Sequence, residues 1–337
     1  MADSLFTSPI SRFFDAGTTA PQPGGVAFVG MPSDATHTSR IGTRFGPRAL
    51  RYETTALISW LRADAAQGGL HDTRTGLAWQ LATPGRVADL GDATINEGDV
   101  SATVEAIASM TEVARRAGAL PVAIGGDHFN SYPACLGVSR ALEATAPAAR
   151  FGYIQIDGHL DFCDRLGAWG ALNHATNARR VSELPNILPA NMVWIGIHGW
   201  VDGEDISAIE AMGGLIIPAS EWHRDGSRKT AARAIAHALR GCDQLYLSID
   251  IDALDAGFLP GTGSIVHSEV TPRQYLDLLG ALSATPLCGI DFVEVSPPLD
   301  PSGRSERIAA RLLFEVLRPH FLVAPPKRGA PIWTGTR

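Results

Sequence analysis

Residues 151–161 read FGYIQIDGHLD: an apolar run of strand length that stops at Asp157 and gives way to His159 and Asp161. Seven other runs have the same character: GVAFVG at 25–30, VADLG at 87–91, LPVAIGG at 120–126, NMVWIGI at 191–197, GLIIPA at 214–219, LYLSIDID at 245–252 and LCGIDFVEV at 287–295. Between most of them lie stretches with helical periodicity, such as 103–116, 229–239, 274–282 and 307–317. Continuous apolar runs separated by helices predict an α/β fold, a parallel sheet covered on both faces. No repeat, long linker or composition shift divides the chain. The predicted organisation is an N-terminal arm over 1–24, closing on a Pro- and Gly-rich stretch, one catalytic domain over 25–325 and a tail over 326–337.

Composition excludes several classes. The 337 residues carry 28 Lys plus Arg against 35 Asp plus Glu, a formal charge of −7, so a nucleic-acid partner held through phosphates is not expected. Hydrophobic residues make up 45%, the level of an ordinary globular chain. The N-terminal string MADSLFTSPISRFFDAG has no apolar core of a secretory signal, and no stretch approaches the ~20 apolar residues of a membrane span. Cys135, Cys163, Cys242 and Cys288 are widely spaced without a C-x-x-C pair, which points to a reducing, cytoplasmic setting. The first run is followed by GMPSDA rather than G-x-G-x-x-G, and no Walker A string occurs, which argues against a nucleotide-binding oxidoreductase.

In parallel sheets ligands bind where strands end. Here Asp127 and His128 follow one run, Asp157, His159 and Asp161 another, and Asp250 and Asp252 close a third. Residues two apart on extended backbone share a face, so each set is expected to converge. A lone Asp at a strand end is most often a helix cap, and Asp127 is read as one. The remaining four Asp and two His at three strand ends are read as metal ligands, because bare buried carboxylates cost several kcal/mol each. Four carboxylates balance two divalent cations. Oxygen donors with some imidazole and no thiolate suit Mn(II), with Ni(II) as the alternative.

These strings, GGDH at 125–128, D-x-H-x-D at 157–161, S-x-D-x-D-x-x-D at 248–255 with G-T-G after it, and E-V-x-P from Glu294, together with the early GMPSD and RIGTRFGPRALR, resemble the ureohydrolase family of arginases, agmatinases and guanidinobutyrases. The resemblance implies a three-layer α/β/α sandwich with an eight-stranded parallel sheet and a homotrimer or homohexamer. It implies one ion on His128, Asp157, Asp161 and Asp250 and another on Asp157, His159, Asp250 and Asp252. It further implies Glu294 as the carboxylate that holds the guanidinium of a small-molecule substrate and His174 as the proton shuttle. Asp161 would also steady the attacking water. The products would be urea and an amine.

The chain departs from arginase where the substrate's tail would lie. Cys163 stands where arginases have Asn, His-Ala-Thr-Asn begins at 174, and Gly-Ile-His-Gly-Trp at 196–200 is followed by Val201 in place of an acidic contact for an amino-acid ammonium. L-arginine is therefore not the expected substrate. Agmatine or guanidinobutyrate is the first reading. Guanidine, an alkylguanidine or a biguanide is the second, through similarity to a divergent, nickel-associated branch, with Trp169 and Trp200 either lining an apolar pocket or filling core. His37, His198 and His267 have no motif to support them and are read as structural. Two further classes compete. A zinc deacetylase would use one metal and a Tyr electrophile, and a non-catalytic partner subunit would be expected to lose His128 or Glu294.

Overall fold

The eight apolar runs all become strands of one sheet in the structure, a computed structural model that describes residues 11–68, 70–72, 77–81 and 86–323. They are β1 Val26–Gly30, β2 Val87–Asp92, β3 Leu120–Ile124, β4 Phe151–Ile156, β5 Ile187–Ile197, β6 Leu215–Pro218, β7 Gln244–Asp250 and β8 Leu287–Val293. The sheet order is β2-β1-β3-β8-β7-β4-β5-β6, and every pairing is parallel. The helices are α1 Gly46–Gly68, α2 Val100–Arg116, α3 Ser131–Thr145, α4 Asn177–Ser182, α5 Gly203–Ala211, α6 Ala219–Asp225, α7 Ser227–Ala238, α8 Pro272–Leu282 and α9 Arg304–Phe321. The four periodic stretches read from the sequence fall on α2, α7, α8 and α9.

Alternation along the strands explains the layers. In β4, Ile154 and Ile156 join one core with α1, α7, α8 and α9, whereas Phe151 and Tyr153 join a second core with α3, α4 and α5. In β7, Leu245, Leu247 and Ile249 face the first core and Tyr246 the second. The result is an α/β/α sandwich. Helix starts follow local chemistry: Thr271 and Gln274 form a capping box around Pro272 at the start of α8, and Asp99 caps α2. A small antiparallel sheet of Leu70–Asp72, Leu77–Leu81 and Leu322–Val323 was not anticipated. Its strands are too short for a period-2 pattern to register.

Residues 1–10 of the expected arm and the whole expected tail lie outside the described residues. The rest of the arm docks on the domain: Phe13 and Phe14 are buried, with Phe13 stacked on Phe28 at 4.9 Å and Phe14 against Phe321 at 4.6 Å. Arg51 of α1 lies over the Phe13 ring at 4.4 Å and is forked onto Asp89, with Nε–Oδ2 2.9 Å and Nη2–Oδ1 3.1 Å, while Nη1 reaches Asp92 at 2.6 Å. All four cysteines are free, and among the described residues no helix is long and apolar enough to cross a membrane. Removing one partner of a buried ion pair strands the other, so Arg51→Ala should lower stability by about 3–5 kcal/mol in urea unfolding. A loss below ~1 kcal/mol would show that this clamp does not hold the arm.

Candidate functional site

Strand register sets the site. Phe292 of β8 lies beside Ile124 of β3, Val293 beside Asp250 of β7, and Ile249 of β7 beside Ile156 of β4. Four adjacent strands therefore end at one level, and the chain leaves them at 125, 294, 251 and 157. Convergence beyond that level comes from turns rather than from the extended backbone expected. Asp161 has φ 47°, and Asp250 caps a 3-10 turn, Ile251–Ala253, that carries Asp252.

The six expected ligands meet. His128 Nδ1 has Asp157 Oδ2 at 3.0 Å, Asp161 Oδ2 at 2.9 Å and Asp250 Oδ2 at 3.1 Å. His159 Nδ1 has Asp252 Oδ2 at 3.0 Å and Asp157 Oδ1 at 3.5 Å. Three of the carboxylates anchor one oxygen on backbone: Asp157 Oδ1 accepts from His159 N–H (2.6 Å), Asp250 Oδ1 from Asp252 N–H (2.8 Å) and Asp252 Oδ1 from Gly158 N–H (3.0 Å). The other oxygen of each faces an imidazole.

The tautomer of His128 follows from its neighbours. Ser248 has one hydroxyl proton, given to Asp291 Oδ1 at 2.7 Å, so it accepts from His128 Nε2–H at 3.0 Å. Nδ1 then carries the lone pair. It is buried and makes no hydrogen bond, although three carboxylate oxygens lie within 3.1 Å. A lone pair and three carboxylates aimed at one point fit a divalent cation. The Asp157/His159/Asp252 group fits a second.

Sequence reasoning missed the supports of these ligands. Gln155 donates to Asp157 Oδ2 at 2.6 Å and accepts from Tyr153 O–H at 3.0 Å, and Tyr275 O–H donates to the Asp250 carbonyl at 2.7 Å. The available signal was a polar residue inside an apolar run, two places before a ligand: Gln155 before Asp157 and Ser248 before Asp250.

Electrostatics show a surplus of negative charge. Burial and neighbouring Asp252 and Asp157 drive Asp250 well above the usual carboxylate range, and burial with Asp157 lifts Asp161 to about 6. Burial also raises Asp252. Two imidazoles do not neutralise four carboxylates.

A second cluster adjoins the first. Glu294, at φ 65°, accepts from His128 N–H at 2.8 Å through Oε1 and faces His37 Nε2 at 3.1 Å through Oε2. His37 stacks on His174 with centroids 4.6 Å apart and 14° between planes, and Thr38 Oγ1 lies 2.6 Å from His174 Nε2. Burial, aided by neighbouring histidines against the pull of Glu294, pushes His174 down to about 4, so the ring is neutral at pH 7. His37 was read as structural. It is instead a buried member of the site, brought there by the loop after β1, which also places Thr36 N–H and O–H on Asp127 Oδ2 at 3.0 and 2.7 Å. Asp127 caps the turn His128–Asn130, as read.

The tail-side residues differ from expectation. Trp169 and Trp200 are 54% and 103% exposed, so neither fills core. Cys163 Sγ donates to Asp205 Oδ2 at 3.4 Å.

The sequence profile of the Arginase family matches residues 24–318. The chain belongs to the arginase family. It is a hydrolase of the metal-dependent amidino-hydrolase class, and the family is one of binuclear divalent-metal sites. It is 33% identical over 300 residues to guanidinopropionase of Pseudomonas aeruginosa, covering 89% of this chain and 87% of that protein. It is 32% identical over 303 residues to the mitochondrial guanidino acid hydrolase of Homo sapiens, covering 89% and 79%. The solved proclavaminate amidino hydrolase of Streptomyces clavuligerus superposes with a TM-score of 0.75 at 26% identity, covering 92% and 97%.

Ser248→Ala removes the acceptor that fixes the His128 ring. Divalent-metal affinity should fall about 10–100-fold, read by titration with Mn(II). Unchanged affinity would show that Ser248 does not set the tautomer.

Proposed function

We propose that the protein hydrolyses the C–N bond of a guanidino compound other than L-arginine, in the manner of a guanidinobutyrase or agmatinase, giving urea and an amine. The observation that carries this reading is the adjacency of the two clusters: the backbone N–H of His128, whose ring faces the carboxylates, donates to the Glu294 carboxylate. Names of relatives support a guanidino acid over arginine, and Val201 supplies no carboxylate for an amino-acid ammonium.

His128, Asp157, Asp161 and Asp250 would hold one ion, and Asp157, His159, Asp250 and Asp252 the other, with Asp157 and Asp250 shared. A pair of divalent ions there supplies water deprotonated near neutral pH, the nucleophile that a delocalised guanidinium carbon demands. Glu294 is a buried carboxylate held low, despite its burial, by His37 and the other imidazoles around it, and so it stays charged to pair with the planar cation. Asp161 keeps the attacking water in line by accepting its proton in a hydrogen bond. His174 is neutral, so it takes a proton before it gives one to the departing amine.

Carboxylate and imidazole donors without thiolate favour Mn(II), with Ni(II) second. The same reading carries a homotrimer or homohexamer and a cytoplasmic setting, the latter supported by four free cysteines. The guanidine or biguanide reading stays second: it rests on the short strings around His174 and Trp200, and the exposure of Trp169 and Trp200 neither adds to it nor removes it. The complete set of six ligands with His174 and Glu294 leaves nothing to favour a non-catalytic subunit.

A urea-release screen over guanidinopropionate, guanidinobutyrate, agmatine, arginine, guanidine and a biguanide, with Mn(II) and with Ni(II), should show turnover on a guanidino acid or agmatine and little on arginine. No urea from any of them would overturn the reading. Asp250→Asn should lose metal in elemental analysis. His174→Ala should keep metal and slow turnover about 10²–10⁴-fold, and an unaffected rate would remove His174 from the reaction.

A further inference from the structure

His37 moves no proton and forms no bond in the reaction just described beyond keeping Glu294 charged, yet its side chain is fully buried against that carboxylate. Ser39 N–H donates to Nδ1 at 2.9 Å, so Nδ1 is the acceptor and Nε2 carries the hydrogen. That hydrogen is directed at Glu294 Oε2, 3.1 Å away, while His128 N–H takes one direction on Oε1 at 2.8 Å. An ionised carboxylate has about four acceptor directions. These two donors use one on each oxygen and leave one on each, the pattern that the parallel N–H bonds of a guanidinium match.

We propose that His37 is a positioning residue for substrate recognition: its Nε2–H locks the rotation of the Glu294 carboxylate so that the two remaining acceptor directions face the guanidinium. The proposal rests on the reading of Glu294 as the guanidinium-binding group. The surroundings are built for the ring. A Cβ on Gly263 would lie 2.4 Å from His37 Nε2, so only glycine leaves it room. The Gly263 carbonyl in turn accepts from Ser39 Oγ and Arg40 Nε, each at 3.2 Å, which fastens the chain just after His37. His174 has its own tether at Thr38 Oγ1, so loss of the His37 ring leaves the shuttle in place.

The test compares His37→Leu, of similar bulk without a donor, with His37→Gln, whose amide can donate to Glu294 and accept from Ser39. Each is loaded with Mn(II), checked for metal content and assayed on the guanidino compound best turned over by the wild type. His37→Leu should keep its metal and raise KM about 10–100-fold, the loss expected for one hydrogen bond to a charged group, with kcat within about threefold. His37→Gln should return KM to within about fivefold of wild type. A KM in the Leu variant equal to wild type, or a Gln variant as impaired as Leu, would overturn the proposal. Imidazole 15N spectra of the wild type supply a readout without turnover: a protonated Nε2 and bare Nδ1 on His37 are expected, and a protonated Nδ1 would overturn the hydrogen-bond assignment. A wild type that releases no urea would sink the functional reading, and the spectra would still decide the bond.

Discussion

Four carboxylates buried at one sheet edge, against two imidazoles, are the constraint around which the rest of this structure is arranged. The parallel register brings β3, β8, β7 and β4 to the same level, and the turns after them bend Asp157, Asp161, Asp250 and Asp252 onto His128 and His159. Burial disfavours charge on each, and Asp157 raises Asp161, Asp250 and Asp252. Asp157, Asp250 and Asp252 each anchor one oxygen on a backbone N–H and turn the other toward an imidazole.

The loop after β1 is the second organising element. Thr36 holds Asp127, His37 faces Glu294, Thr38 meets His174, and Ser39 and Arg40 grip the Gly263 carbonyl. Five consecutive side chains thus reach four different pieces of the site. Two non-glycine residues in the left-handed region, Asp161 and Glu294, sit within it. Such conformations cost about 1–3 kcal/mol each and persist where the surroundings over-determine them. Here the Gly126 carbonyl accepting Glu294 N–H and the Asp161 carbonyl accepting Ala178 N–H provide that restraint.

Much of the architecture was legible because parallel strands buried on both faces announce themselves as unbroken apolar runs, and Asp and His gathered at the ends of three such runs are hard to explain as helix caps alone. FGYIQID and LYLSIDID therefore pointed to Asp157 and Asp250 before any coordinates. His37 was not legible in the same way. It lies in a polar loop, no spacing rule ties position 37 to position 294, and its role depends on a contact across 257 residues. The backbone route was also misjudged. Asp157, His159 and Asp161 converge, but through a turn with a left-handed residue, because period-2 reasoning applies only while the chain remains extended. Trp169 and Trp200 show the opposite failure, since large aromatics usually signal core and these two lie on exposed loops.

His128 joins the two halves of the site through three separate groups. Its Nε2–H is fixed on Ser248, its Nδ1 faces three carboxylates, and its backbone N–H holds Glu294 Oε1. Any displacement of this residue therefore moves Glu294 together with the carboxylates that crowd around its ring. The spacing between the Glu294 carboxylate and that cluster is consequently set by one residue on one short turn, capped by Asp127. That economy accounts for the density of side-chain support behind it, where Ser131 and Ser248 both donate to Asp291 Oδ1. A site whose two functions share a single pivot gains accuracy in proportion to how well the pivot is held.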